Sequence, residues 1–239
     1  MPSYIIDSVI PQPGDQVKLQ GAEHHHLAMV TRHKPGDKIK LNNTKGWLGL
    51  GSILQISRSE TIIRIDEALP APQMPQYALA FSLLKSQNDE LVIEKGTELG
   101  VCEFFPFVSR YTVRRAGEAA LARFHKLALA SVKQCDNPRI PVINKVQDFA
   151  ECLESIRLEG YTPIICSESR PDLWLSDVAL EGVKPCFVVG PEGGWSPEEY
   201  ELFESFNLTQ ICLGSLVTRA ETASIAIAAQ YLLIAKTIN

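Results

Sequence analysis

Two loops near the end of the chain, each following a short apolar run, constrain the fold more than any other feature. Residues 185–189 lead into Gly190-Pro191-Glu192-Gly193-Gly194-Trp195, and residues 210–213 lead into the segment 214–223. Short apolar runs that end at a glycine are typical of buried strands, and open α/β sheets bind ligands at the carboxyl ends of their strands. We therefore predict a ligand site where these two loops leave a sheet.

The first loop is predicted to be short and stiff because a helix starts directly after it. Ser196, Pro197 and Glu199 occupy the N-cap, N1 and N3 positions of a helix start. The glycines of the loop would leave backbone groups open to close approach by a ligand. Taken alone, such a turn is equally compatible with an ordinary connection between a strand and a helix.

The second loop favours a functional site, because Arg219 and Glu221 stand at the start of a helix that is otherwise almost entirely apolar. Folding of such a helix does not require these two charges. Together, the GPEGG segment and the LG…R-x-E-T-A segment resemble the RsmE family of SPOUT-class RNA methyltransferases, which methylate N3 of a uridine in small-subunit ribosomal RNA. The chain departs from the usual pattern of that family at Leu216 and Thr218 and around residues 133–137.

The resemblance implies an α/β fold in which an N-terminal PUA-like β-barrel precedes a SPOUT-type knotted, mainly parallel α/β domain. It also implies S-adenosyl-L-methionine as cofactor, a homodimer, and ribosomal RNA or the small ribosomal subunit as partner. The PUA-like barrel would bind RNA, with His25 and Arg32 as contacts.

The order of predicted elements agrees with this organisation. Short alternating segments and turn signals up to residue 69 predict a small β-barrel, interrupted by one helix over residues 23–33. Pro70, Pro72 and Pro75 mark a stiff linker. Beyond it, strands and helices alternate, which predicts a mainly parallel sheet covered on both faces. We therefore expect a barrel domain over residues 1–70 and a methyltransferase domain over residues 76–239.

Methyl transfer to uridine N3 requires positioning, exclusion of water and removal of a proton. Arg219 could stabilise the resulting uracil anion, and Glu221 could orient Arg219 or relay the proton. The alternative is a simple salt bridge between these two residues at the helix start. The cofactor is expected between the two loops, at seven positions: Gly190, Glu192, Gly193, Leu213, Gly214, Leu216 and Thr222.

Charge is segregated along the chain, although the net charge is −5. Residues 110–145 contain eight basic and two acidic residues, and residues 18–45 contain six and two, so that these segments carry +6 and +4. Such segregation suits a surface that faces a polyanion, and ordinary solvated helix faces are the alternative. The candidate RNA contacts in the more basic segment are Arg110, Arg114, Arg115, Lys126 and Arg139.

Several classes of protein are disfavoured. No apolar run approaches the length of a membrane span, and the N-terminus does not resemble a signal peptide, so we expect a cytoplasmic protein. The six cysteines form no CxxC pair, which argues against zinc and against a disulfide framework. The adjacent His24, His25 and His26 would point in different directions on a helix, so no metal is expected there.

Three functional classes remain to be compared. A dinucleotide-dependent or nucleotide-hydrolysing enzyme is disfavoured, because neither GxGxxG after the first strand nor GxxxxGK[ST] is present. A non-catalytic RNA-binding protein of the same fold is the second alternative to a methyltransferase. The final helix is apolar around nearly its whole circumference, which predicts burial on all sides. One side can pack on the sheet and the other needs a partner, which the family resemblance implies to be a second copy of the chain.

Overall fold

The structure is a computed structural model and describes residues 2–7, 10–114, 118–169 and 172–238. The chain forms two compact units. Unit one comprises Met1–Gln73 and Leu129–Ile140, and unit two comprises Met74–Ala128 and Pro141–Asn239. The segment Leu129–Ile140 thus joins the first unit, although it lies far beyond the proline-rich linker in the sequence.

In unit one, five of the described strands form one mixed sheet in the order β1-β3-β4-β5-β2. Only the pair β1 and β3 is parallel, and the other neighbours are antiparallel. Apolar residues alternate with polar residues along these strands, and the apolar set, including Leu19, Leu41 and Ile63, forms the buried core. The strands are Tyr4–Ile5 (β1), Gln16–Gln20 (β2), Lys38–Asn42 (β3), Leu48–Ile56 (β4) and Glu60–Leu69 (β5).

The helix predicted over residues 23–33 is shorter and less regular than expected. An α-helical turn, Gly21–His25 (α1), continues as a π-helical turn, His26–Val30, and Arg32 then adopts a positive φ of 55°. The histidine side chains diverge as helical geometry requires. His24 is buried with Nδ1 at 2.8 Å from Thr61 Oγ1, whereas His25 is exposed.

Unit two contains a sheet in which all the described strand pairs are parallel. The order is β12-β10-β11-β6-β7-β8, with β9 also paired to β7. Parallel pairing brings the carboxyl ends of all these strands to one edge. The strands are Ala78–Ser82 (β6), Glu103–Val108 (β7), Val142–Ile143 (β8), Gln147–Asp148 (β9), Thr162–Cys166 (β10), Pro185–Val189 (β11) and Thr209–Ile211 (β12).

Helices cover both faces of this sheet, as the alternation of elements predicted. One buried cluster includes Phe81, Phe124 and Ile227, and a second includes Phe107 and Phe203. The central strands β6 and β11 are buried along their whole length, which is typical of parallel sheets. The helices are Asn88–Glu98 (α2), Glu118–Cys135 (α3), Phe149–Leu158 (α4), Pro197–Ser205 (α5) and Ala220–Ile238 (α6).

Candidate active site

The two loops singled out from the sequence leave neighbouring regions of the same sheet edge. Strand β10 lies between β11 and β12, so the loop after β11 (loop 1, residues 190–196) and the loop after β12 (loop 2, residues 212–219) flank its carboxyl end. This is the edge at which parallel sheets bind their ligands. The predicted position of both loops is confirmed.

Loop 1 is stiff, and hydrogen bonds at its two ends explain why. Gly194 donates its backbone N–H to Pro191 O at 3.0 Å and has a positive φ of 73°. The predicted capping box is present: Ser196 N donates to Glu199 Oε2 at 2.7 Å, and Glu199 N donates to Ser196 Oγ at 3.3 Å. Glu199 Oε1 also accepts from Arg110 N at 3.0 Å, so the helix start is tied to the loop after β7.

The first two glycines of loop 1 lack a side chain at positions where other side chains of the protein pack against the backbone. A Cβ atom on Gly190 would lie 2.7 Å from the indole ring of Trp195, and one on Gly193 would lie 2.9 Å from Tyr111 Cβ. Trp195 is fixed in turn by Phe107, Phe149 and Phe203, with ring centroids at 6.1, 4.9 and 5.0 Å. Aromatic packing therefore requires Gly190, independently of any ligand.

We expect Gly190→Val to destabilise the fold. The added side chain must displace Trp195 from its aromatic cluster, and such overpacking costs about 1–3 kcal/mol of unfolding free energy. Urea denaturation monitored by tryptophan fluorescence measures this loss. Unchanged stability would contradict the packing described for Trp195.

Loop 2 has a different character, because several of its groups are exposed. Leu216 and Val217 are 82% and 78% exposed. No described atom lies within 4 Å of the position that a Cβ on Gly214 would take. The carbonyl of Leu213, by contrast, is already engaged by Gln230 Nε2 at 3.0 Å. The part of loop 2 whose backbone a ligand can approach thus begins at Gly214 and continues into the residues that follow it.

Arg219 caps the start of α6 with its main chain and leaves its side chain exposed. Its carbonyl accepts from Ala223 N at 2.8 Å. Within the described part of the chain, its guanidinium has no ion-pair partner. The salt bridge between Arg219 and Glu221 that the sequence left open is therefore not formed. Thr222, on the first turn of α6, is also exposed.

Glu221 is buried, with 8% of its surface exposed. Its Oε1 accepts a hydrogen bond from Asn88 Nδ2 at 3.0 Å. Its Oε2 is buried and has no hydrogen-bond partner among the described residues. Glu221 is thus oriented by Asn88 and, in this structure, does not orient Arg219.

The connection between β6 and α2, taken together with the first residue of α2 (the β6–α2 loop, residues 83–88), contacts loop 1 and the start of α6, and was not singled out from the sequence. Lys85 N donates to Glu192 Oε1 of loop 1 at 2.9 Å, and Asn88 donates to Glu221 in the first turn of α6. Ser86 and Gln87 have positive φ values of 53° and 62°. Backbone strain of this kind persists where surrounding contacts fix it, often at functional sites. The sequence signal was a polar stretch directly after the first strand of the sheet.

Asp89 and Arg114 form an ion pair beside this loop. Asp89 is fully buried and binds the Arg114 guanidinium through one oxygen, while its other oxygen has no partner among the described residues. Burial raises the pKa of Asp89 above its ordinary value, and the charge of Arg114 opposes that rise. Arg114 was predicted to contact RNA, but its charge is engaged by Asp89.

The other predicted RNA contacts are distributed over both units. His25, Arg32 and Arg139 are exposed in unit one, and Arg110 and Lys126 are exposed in unit two. Arg115 lies outside the described residues. Four further cations of the basic segments form ion pairs within the protein, which reduces the free positive charge of those segments: Lys18 with Glu60, Lys40 with Asp136, Arg123 with Glu90, and Lys133 with Glu23.

No group of His, Cys, Asp and Glu side chains among the described residues could hold a metal ion. No described helix is both long and apolar enough to cross a membrane. None of the six cysteines, all of which lie in the described part of the chain, forms a disulfide, and burial raises the pKa of the Cys152 thiol to about 12. Among the described residues, the two loops and the start of α6 thus offer exposed backbone at Gly214, the exposed guanidinium of Arg219 and the buried carboxylate of Glu221.

Comparison with known proteins defines the class to which this fold and site belong. The RNA methyltransferase domain family matches residues 72–232, which contain both loops and most of unit two. The chain belongs to this family. Among its relatives, ribosomal RNA small subunit methyltransferase E of Rickettsia conorii is 29% identical over 221 residues, covering 90% of this chain and 88% of that protein. The protein of the same name from Mycobacterium bovis is 26% identical over 229 residues, covering 92% and 87%.

A solved structure shows the same fold. The ribosomal RNA small subunit methyltransferase E of Neisseria gonorrhoeae, solved bound to S-adenosyl methionine, superposes with a TM-score of 0.88 at 24% identity and covers 98% of both chains. The mixed sheet of unit one and the parallel sheet of unit two thus form the expected PUA-like and SPOUT arrangement. The trefoil knot stays a prediction.

Proposed function

We propose that this protein transfers a methyl group from S-adenosyl-L-methionine to N3 of a uridine in the RNA of the small ribosomal subunit. The observation that carries the proposal is the family match, which spans both loops at the ligand-binding edge of the sheet. The names of its relatives, each a small-subunit ribosomal RNA methyltransferase, supply the substrate class. We propose a cytoplasmic location on the same ground.

The residues at this edge suit a cofactor with an extended polar chain and an aromatic ring whose faces can pack on apolar side chains. Gly214 leaves space beside its backbone, and Leu216 and Val217 expose apolar surface next to it. The unpartnered oxygen of Glu221 can accept a hydrogen bond from a bound group. We therefore place the cofactor against loop 2 and the outer part of loop 1, with Glu192, Gly193, Leu213 and Thr222 as further contacts. Gly190 is proposed to contact the cofactor through its backbone, and its close approach to Trp195 also shapes loop 1.

The reaction requires little beyond positioning and charge. When bound, S-adenosyl-L-methionine supplies an electrophilic methyl group on a sulfonium. Arg219 contributes a cation that no described carboxylate neutralises, and this cation can stabilise the uracil anion that forms when N3 loses its proton. Because N3 lies on the Watson–Crick edge, the uridine must leave its stack before it reaches the site.

RNA binding is assigned to exposed cations and one histidine on both units: His25, Arg32, Arg110, Lys126 and Arg139. Contacts to phosphates release counterions, so the affinity for RNA should fall steeply with salt concentration.

Methylation of purified small ribosomal subunits with radioactive S-adenosyl-L-methionine tests the proposal. The expected product is 3-methyluridine, detected by mass spectrometry after digestion of the RNA. Binding of RNA without methyl transfer would identify a non-catalytic RNA-binding protein, and preference for a dinucleotide or a nucleoside triphosphate would identify another enzyme class.

A homodimer forms part of this proposal. Among the described side chains of α6, three on one face are exposed at helical spacing, Thr222, Ala229 and Leu233, and Leu233 is 74% exposed. A second copy of the chain, related by a two-fold axis, would cover this face.

We expect light scattering at micromolar concentration to give twice the mass of one chain, and Leu233→Glu to give a monomer, because a carboxylate cannot be buried unpaired in an apolar interface. Leu158→Glu is the matched control, since Leu158 is 86% exposed at the end of α4. A monomeric wild-type protein would contradict the proposal.

A further inference from the structure

The β6–α2 loop holds a carboxylate of the proposed active site in a defined orientation. Asn88 donates to Glu221 Oε1 at 3.0 Å across 133 residues of sequence, and Glu221 Oε2 is left buried and without a partner among the described residues. A buried carboxylate oxygen without a hydrogen bond is costly, so Glu221 Oε2 is a position at which a donor from a bound reactant would be stabilised.

The position of Asn88 is fixed from several sides. Ser86 and Gln87, directly before it, adopt left-handed backbone conformations, and Lys85 N is bound to Glu192 of loop 1. The next residue, Asp89, is fully buried and paired with Arg114. Asn88 also occupies the first position of α2. These constraints limit the movement of its side-chain amide, and through that amide they limit the movement of Glu221.

We propose that Asn88 is a positioning residue for methyl transfer: it holds Glu221 by Oε1 so that Oε2 accepts the N3 proton of the uridine. The inference rests on the proposed function. In this step the N3–H bond breaks and an O–H bond forms on Glu221. The N3 electron pair then forms a bond to the methyl carbon, and the bond between that carbon and sulfur breaks. Arg219, two residues before Glu221, stabilises the anion in between.

The amide of Asn88 is suited to this task for a chemical reason. As a neutral donor, it satisfies one carboxylate oxygen and leaves the carboxylate able to take a proton. A cation in its place would bind the carboxylate more strongly and lower its basicity. A carboxylate in its place would repel Glu221. Both replacements would therefore change the reaction without changing the shape of the site greatly.

The test measures single-turnover rates with saturating RNA and S-adenosyl-L-methionine, on RNA that carries either uridine or 5-fluorouridine. Asn88→Leu removes the hydrogen-bond donor. Asn88→Asp keeps the shape of the side chain but replaces the N–H donor with a carboxylate oxygen, which can only accept. We expect both variants to react about tenfold more slowly, or slower still, because the base is no longer oriented. Cofactor affinity, measured by calorimetry, should change much less.

The 5-fluorouridine substrate separates positioning of a base from a structural role. Its N3–H is more acidic, so it depends less on a well-placed base. The ratio of the rate on 5-fluorouridine to the rate on uridine should therefore rise in both variants, while a loss caused only by a loosened fold would slow both substrates equally. Asn144→Leu is the matched control: Asn144 donates to Glu103 Oε1 at 2.8 Å, next to the start of β7 and hence away from the carboxyl edge.

Wild-type rates in both Asn88 variants, or slower rates with an unchanged substrate ratio, would overturn the assignment of Asn88 and leave the proposed function standing. A wild-type protein that methylates neither substrate would overturn the proposed function and this inference with it.

Discussion

Arg219→Ala is expected to lower the single-turnover rate of methyl transfer by about a hundredfold or more, the scale of losing one donor that stabilises a developing anion. The guanidinium is exposed, and the nearest carboxylate in sequence, Glu221, is bound to Asn88. Its charge is thus free to interact with the uracil anion, which it stabilises more than neutral uridine. The affinities for S-adenosyl-L-methionine and for RNA should change much less.

The measurement uses small ribosomal subunits, saturating cofactor and rapid quenching. Lys184→Ala is a suitable control, since it removes an exposed cation at the opposite edge of the sheet, just before β11. If Arg219→Ala weakens RNA binding but keeps the rate on saturating RNA, the residue binds phosphate and does not take part in the chemistry.

Gly214→Val is expected to remove binding of S-adenosyl-L-methionine while the fold keeps its stability. No described atom lies within 4 Å of the added Cβ, and the backbone of Gly214 does not need the positive φ that favours glycine. A valine therefore fits the protein itself but fills the space proposed for the cofactor. We expect a loss of affinity of about a hundredfold or more in calorimetry, which corresponds to at least about 2.7 kcal/mol.

A graded series strengthens this test. Gly214→Ala should lose less affinity than Gly214→Val, because it fills less of the same space, and the melting temperature of both variants should stay close to that of the wild-type protein. Undiminished affinity in Gly214→Val would place the cofactor elsewhere. The comparison with Gly190→Val is informative, since that variant should lose stability through its clash with Trp195.

Local sequence patterns predicted much of the fold. The apolar run at β11 identified a buried strand, and Ser196 with Glu199 identified the start of α5. These features depend on interactions among residues close in sequence, which a single sequence records directly.

Features that depend on distant partners could not be predicted. Asn88 lies 133 residues from Glu221, and Arg114 lies 25 residues from Asp89, so neither pair leaves a periodic signal. The count of basic residues likewise could not show which cations are neutralised by pairing. The packing of Trp195 against Gly190 was not predicted either, because the position of Trp195 is fixed by Phe107, Phe149 and Phe203, which lie far from it or on another element.

The central claim, methylation of a small-subunit ribosomal RNA uridine at N3, is tested most directly in cells that lack this protein. Methylation at N3 blocks Watson–Crick pairing and stops reverse transcription, so the modified position can be located by primer extension and its mass confirmed by mass spectrometry. We predict that one 3-methyluridine disappears from the small-subunit RNA, that the wild-type gene restores it, and that the Arg219→Ala gene restores far less. An unchanged set of modified uridines in the deletion strain would contradict the account.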